Sequence, residues 1–256
     1  MSPKAGARPA PHGLRTSIAE GVAWLTLDRP AHGNRITADL AQELCAAAAE
    51  IEIDERVVVV VLAAAGDSFC LGVEDSGEWE HQADWVEAIA CLTRPVVAAI
   101  QGDAMAEGLE LALACDLRVA SERARVALPQ LQEGRLPSHG GTQRLPRMVG
   151  RTRALDLLLT GRSLTAAQAE VVGLISRTLP QSDFARGLEL VIDTLKRNGP
   201  IALRYGKEAV LKGPDMTLEQ GIRLEEDLYV LLQTTRDRQE GISAFLQKRK
   251  PSFHGN

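Results

Sequence analysis

The 256-residue chain is short of cysteine, has no excess of positive charge and contains no long apolar run. Each shortage excludes something. Its four cysteines, Cys45, Cys70, Cys91 and Cys115, form no CxxC pair and sit in apolar contexts. Four in a chain of this length do not make a disulfide scaffold, so reduced and buried thiols are expected. No Cys/His cluster of zinc-binding spacing occurs, and no metal site is expected. Lys and Arg number 29 against 34 Asp and Glu, a formal net charge of -5, which argues against a nucleic-acid partner. The longest apolar run, residues 57–65, falls far short of the roughly 20 residues that span a bilayer. Rich in Val and flanked by charge, it suits a buried strand. The first 13 residues carry Pro, Ala, Gly and Lys but no apolar signal core, and read as a disordered tail. A cytoplasmic protein, off the membrane, is the resulting expectation.

What is present is an alternation of strand and helix signals. The chain is 45% hydrophobic and 25% charged, enough to bury a sizeable core. Residues 22–27 form a β-rich run, ended by Asp28-Arg29-Pro30. Residues 37–51 have helical periodicity, with Thr37 or Asp39 near the start. The β-branched run 57–62 and the run 95–100 read as strands buried on both faces. Residues 108–115 read as an apolar helix and 116–120 as the next strand. This order implies a parallel sheet covered by helices. Further helices are expected over 152–160 and over 165–171, the latter capped by Thr165. After Gly199-Pro200 the chain looks wholly helical, over 201–211, 218–232 and 239–248, and residues 251–256 should fray.

Three segments can carry chemistry. The first, Ser68 to Asp75 (SFCLGVED), places Leu71 and Gly72 just after a strand end. There a glycine lets backbone N–H groups point outward toward a developing negative charge. The second, Gln101 to Glu110, joins a buried strand to a helix N-terminus and carries Glu107, Gly108 and Glu110. Glu107 and Glu110 are three apart and so share a helical face. A carboxylate inside that apolar helix would be desolvated, with a raised pKa suited to acid/base work. The plainer reading is of first-turn glutamates that favour the helix dipole. The third segment runs from Leu128 to Leu145 and contains Gln130, Glu133 and His139, followed by Gly140-Gly141. His139 is of a type that titrates near neutrality, although a lone histidine there is more often an exposed loop residue.

In order and spacing these segments resemble the crotonase family, also called the enoyl-CoA hydratase/isomerase family. Leu27-Asp28-Arg29-Pro30 through Asn34 looks like its first strand-end motif, SFCLGVED like its FxxGAD segment, and GDAMAEGLELALACDLRVAS like its GxAxGGGxELAxxCDxRxAS segment. GGTQRLPRMVG is similar to its central signature and AFLQKRKPSFHG to its C-terminus. The resemblance covers nearly the whole chain. It implies an α/β fold, a crotonase-like ββα spiral over 14–195, with a C-terminal helical oligomerisation region over 196–256. It implies an acyl-CoA thioester as substrate and no cofactor beyond the coenzyme A that the substrate carries. Assembly as a homotrimer or homohexamer is implied as well. The shared chemistry is stabilisation of a thioester enolate by two backbone N–H groups, here those of Val73 and Glu107. The variable stretch after the first donor lines the acyl pocket in this family, which brings in Trp79 and Trp85, although helix core packing explains Trp85 equally well.

The chain departs from the pattern in three places. Glu110 matches the family's first catalytic glutamate, but the second, after the Pro of the third segment, is Gln130. An amide hydrogen-bonds but does not exchange a proton as an acid or base. Ala106-Glu107 stands where the family usually has Gly-Gly, and a carboxylate near the enolate opposes its charge unless turned away, paired or protonated. Ser138-His139 stands where small residues are usual, which makes His139 a candidate substitute acid/base; Glu133 could reach the pocket if its stretch is helical. Three functions follow as candidates: an enoyl-CoA lyase or isomerase with Glu110 as base, a divergent hydrolase or decarboxylase of CoA thioesters, and a non-catalytic acyl-CoA binder.

Overall fold

The computed structural model describes residues 12–74 and 84–256. Residues 1–11, most of the expected tail, lie outside the described residues. His12 and Gly13, expected in that tail, are held: the Gly13 carbonyl accepts from the Asp28 N–H at 2.7 Å.

Strand β1 (Leu14–Ala19) pairs antiparallel with β2 (Val22–Leu27), and β2 pairs in parallel with β3 (Val59–Ala64). Between them runs α1 (Ala38–Ile53), started by Thr37, whose side chain accepts from the Leu40 N–H; such a cap contributes about 1 kcal/mol. Leu40, Leu44 and Ile51 are buried, the spacing that turns one helical stripe inward.

A repeat then sets the architecture. Each unit sends a long strand into one sheet and a short strand into a second, followed by a helix. Its members are β3 with β4 (Ser68–Cys70) and α2 (Trp85–Ala90), then β5 (Val96–Ile100) with β6 (Asp103–Met105) and α3 (Glu107–Leu113). The third is β7 (Leu117–Ser121) with β8 (Arg125–Ala127) and α4 (Gly141–Val149). The long strands pair in parallel as β3-β5-β7 and the short ones as β4-β6-β8. β9 (Leu164–Thr165) closes the small sheet and β10 (Arg177–Leu179) the large one. The β5 side chains are all buried, as a strand covered on both faces requires. The short strands carry no apolar periodicity of their own. α5 (Arg151–Thr160) and α6 (Ala166–Val171) follow α4, and Thr165 caps α6 in a reciprocal bond with Gln168.

Two compact units are distinguished. One holds the described residues up to Leu92 with Val96–Glu189; the other holds Leu190–Asn256 with Thr93–Pro95. The second begins within α7 (Phe184–Lys196) and is helical thereafter: α8 (Pro200–Lys212), α9 (Leu218–Gln233) and α10 (Arg236–Leu246). Residues 251–256 do not fray. Asp237 accepts from the N–H groups of His254 and Gly255 at 2.7 and 2.8 Å, and the Asn256 carbonyl accepts from Arg236 at 2.8 Å. The first turn of α10 has N–H groups without intrahelical acceptors, and the last residue supplies one.

All four cysteines are free thiols; Cys70 and Cys115 are buried, but Cys91 is exposed and Cys45 intermediate, against the expectation that all would be buried. Burial pushes the Cys70 thiol up to about 12. No described helix is long and apolar enough to cross a membrane, and among the described residues no group of three or more His, Cys, Asp or Glu is placed to hold a metal ion.

Candidate active site

The first candidate donor, the Val73 N–H, is aimed by what surrounds it. Asn34, fully buried and left-handed at φ 53°, accepts from the Arg29 N–H and donates to the carbonyls of Ala65 and Ser68. That ties the end of β2 to the β3–β4 turn. The Leu71 N–H then bonds Gly33, and the Glu74 N–H bonds Ile36, while the Gly72 carbonyl accepts from Ile36. Arg35 donates to the Val73 carbonyl at 3.2 Å. With its neighbours tied to the 33–36 segment, the Val73 N–H faces away from it, toward α3. Gly72 is required: its φ is 102°, and a Cβ there would lie 2.8 Å from a Glu107 oxygen.

The second candidate donor begins α3. The Ala106 carbonyl accepts from Leu109 and Glu110, which leaves the N–H groups of Glu107 and Gly108 at the open first turn. Ala106 has φ 51° and ψ -125°, a region that suits glycine and strains alanine. Gly108 is a close-approach glycine, since a Cβ there would meet the Cys70 carbonyl at 2.2 Å.

Both carboxylates of α3 are buried, Glu107 at 1% and Glu110 at 0% exposure, and they are held differently. Glu110 Oε1 accepts from the backbone N–H groups of His139 and Gly141 at 2.8 and 2.7 Å. Its Oε2 accepts from Gln130 Nε2 at 3.2 Å. Burial raises the Glu110 pKa from 4.5 to about 7, against the lowering effect of those backbone N–H groups. Glu107 Oε2 accepts from the Val73 N–H at 3.3 Å, the position a thioester oxygen would need. Glu107 Oε1 takes Gln130 Nε2 at 3.4 Å and the Arg135 guanidinium at 3.0 Å. One amide group thus touches both carboxylates. Gln130 is itself fully buried, and its Oε1 has no hydrogen-bond partner.

His139 enters through its backbone, not its ring; the ring packs on the fully buried Trp85, centroids 4.9 Å apart. Glu133 ends a single 3-10 turn (Gln130–Glu133), and its carboxylate is 58% exposed and paired with Arg135 at 2.8 Å. A cavity of about 490 Å³ opens beside Val73, Ala106 and Glu107, walled also by Arg35, Leu71, Glu133 and Arg135. Of the expected pocket residues, Gly72, Gly108 and Trp85 are not among its walls, nor are the expected catalytic Glu110, Gln130 and His139, and Trp79 lies outside the described residues.

Sequence reasoning missed Arg135 and Arg35. Arg135 pairs with Glu107 across 28 positions of chain, a separation no local pattern reveals. The one available signal was its place two residues beyond Glu133, in the segment already singled out.

The sequence matches the enoyl-CoA hydratase/isomerase family over residues 17–256. It is 37% identical over 253 residues to the 2,3-dehydroadipyl-CoA hydratase of Escherichia coli, covering 94% of this chain and 98% of that protein. YngF of Bacillus subtilis, whose name assigns it to the same family, is 37% identical over 254 residues, 94% and 98% of the two chains. The crystal structure of the enoyl-CoA hydratase from Bacillus anthracis superposes with a TM-score of 0.91 at 33% identity, over 96% of this chain and 100% of that one.

Proposed function

Because the chain belongs to the enoyl-CoA hydratase/isomerase family, and is an acyl-CoA-processing enzyme of that type, we propose that it works through a thioester enolate, with Glu110 as its principal proton carrier. The observation that carries this reading is the setting of Glu110. One carboxylate oxygen is fixed by two backbone N–H groups, the other faces the Gln130 amide, and burial brings the group to about 7, where it gains and loses a proton readily. The enolate oxygen takes the N–H groups of Val73 and Glu107 once the Glu107 carboxylate has left; each such donor is worth about 3 kcal/mol of barrier. The proton next to a thioester is already moderately acidic, so the proposal needs no cofactor beyond the substrate's own CoA.

Turnover of crotonyl-CoA, followed by loss of enoyl absorbance, and exchange of the α-protons of a saturated acyl-CoA into deuterated water test the reading together. Exchange and turnover that both survive Glu110→Gln would sink it. We further propose that the C-terminal unit mediates a homotrimer or homohexamer in the cytoplasm. Leu218, Val230, Phe245 and Leu246 are 62–82% exposed in the single chain, and light scattering that gave a concentration-independent monomer would refute the assembly.

A further inference from the structure

We infer that the Glu107 side chain is the second proton-transferring carboxylate of this site, taking the work that Gln130 cannot do. The inference rests on the function proposed above.

Three observations lead to it. Glu107 is buried beside Glu110, and one Gln130 amide group reaches both, so the two carboxylates lie next to each other, with Glu107 the one that lines the cavity. Gln130 Oε1 is buried without a partner, an acceptor aimed at no group of the protein, and a substrate hydroxyl or a water fits it as a donor. Arg135 holds Glu107 from the cavity side. When a thioester oxygen takes the Val73 N–H, Glu107 therefore has a second place to rest within the site. It remains next to the carbon that bears the acidic proton.

The reaction closes with these groups. In dehydration of a 3-hydroxyacyl-CoA, the Glu107 carboxylate, its charge offset by Arg135, takes the proton from C2. The C–H electrons form the enolate, whose oxygen rests on the N–H groups of Val73 and Glu107. They then form the C2=C3 bond as the C3–O bond breaks, and Glu110 gives its proton to the departing hydroxyl, which leaves as water. Hydration is the reverse, and solvent restores the proton distribution. The working pair carries one proton in either direction. In dehydration that proton starts on Glu110, which titrates at about 7 and is faced by Glu107, the Gln130 amide and the backbone N–H groups of residues 138, 139 and 141; in hydration it starts on Glu107. Above that pH the pair loses it, so kcat/KM falls in both directions; Glu110 acting alone as a base gives the opposite slope.

The test uses the full-length enzyme with crotonyl-CoA. Glu107→Gln should lower kcat by roughly 100-fold with KM unchanged or smaller, since the amide leaves the Val73 N–H more easily. In the double variant Glu107→Gly/Gln130→Glu, which returns the carboxylate to position 130, hydration should recover well above Glu107→Gly alone. If Glu107→Gln and Glu107→Gly equal or exceed the parent, the side chain is only an obstacle and the inference falls. A kcat/KM that rises through pH 7 also overturns it. Loss of turnover in Glu110→Gln but not in Glu107→Gln keeps the proposed function and removes this inference; a parent enzyme with neither turnover nor α-proton exchange removes both.

Discussion

The inner and outer ends of the site are built from the same helical turn and differ in what holds them. At the inner end, backbone N–H groups of the 138–141 turn grip Glu110, and a Cβ on Gly141 would come within 2.9 Å of its Oε1. At the outer end, Glu107 is held largely by side chains, Gln130 and the partly exposed Arg135, and by one long bond to the Val73 N–H. Backbone donors on a packed turn cannot move without the fold, whereas a guanidinium at the surface swings. The inner carboxylate is thus preorganised, and the outer one is able to yield its place to a substrate.

Breaking the inner end should have the larger effects. Glu110→Gln keeps size and most hydrogen bonds but removes proton transfer, so kcat should fall by about 100-fold or more while acyl-CoA binding, read by calorimetry, persists. Gly141→Ala forces the Glu110 carboxylate aside. Misplacement by a fraction of an ångström to 1 Å should cost roughly 10- to 100-fold in kcat, with the protein still folded by circular dichroism. The same carboxyl governs a stability slope. Its pKa is raised on folding from 4.5 to about 7, so the contribution is complete below pH 4.5 and lost as pH rises through about 7. Urea denaturation across that window should show the loss in the parent and its absence in Glu110→Gln.

Apart from Glu107 itself, the outer end should respond in stability before it responds in chemistry. Arg135→Gln leaves the buried Glu107 charge without its counter-ion. Because Arg135 is partly solvated, the cost should be about 1–2 kcal/mol, below that of a fully buried pair, seen as a lower urea midpoint at unchanged slope. The smallest effect expected is a gain. Ala106→Gly relieves a left-handed alanine at φ 51° and should add up to about 1 kcal/mol; a loss of stability would mean that the alanine methyl packs better than its strain costs.

Much of the fold was legible because the long strands β3 and β5 are apolar throughout and several helices, α1 and α6 among them, carry side-chain caps. Residues 22–27 form β2 as read, and Thr37 and Thr165 start the helices expected of them. The second sheet was not legible. Strands of two or three residues such as β4, β6 and β8 are too short for a period and exist because the long strands place them side by side. The docking of residues 251–256 on Asp237 was hidden for the same reason.

By itself the sequence determined the α/β alternation, the family resemblance and the residue types available to the site: one matching glutamate at 110, an amide at 130 and an unexpected glutamate at 107. Only the tertiary structure decided their roles. It put the backbone of His139, and not its ring, on Glu110; it set the Glu107 carboxylate on the Val73 N–H; and it brought Arg135 to Glu107. The reason is physical. A local pattern fixes the direction of a side chain relative to its own helix or strand. The charge, burial and hydrogen bonds that decide its chemistry come from segments 20 to 34 residues away, and only folding brings these within reach.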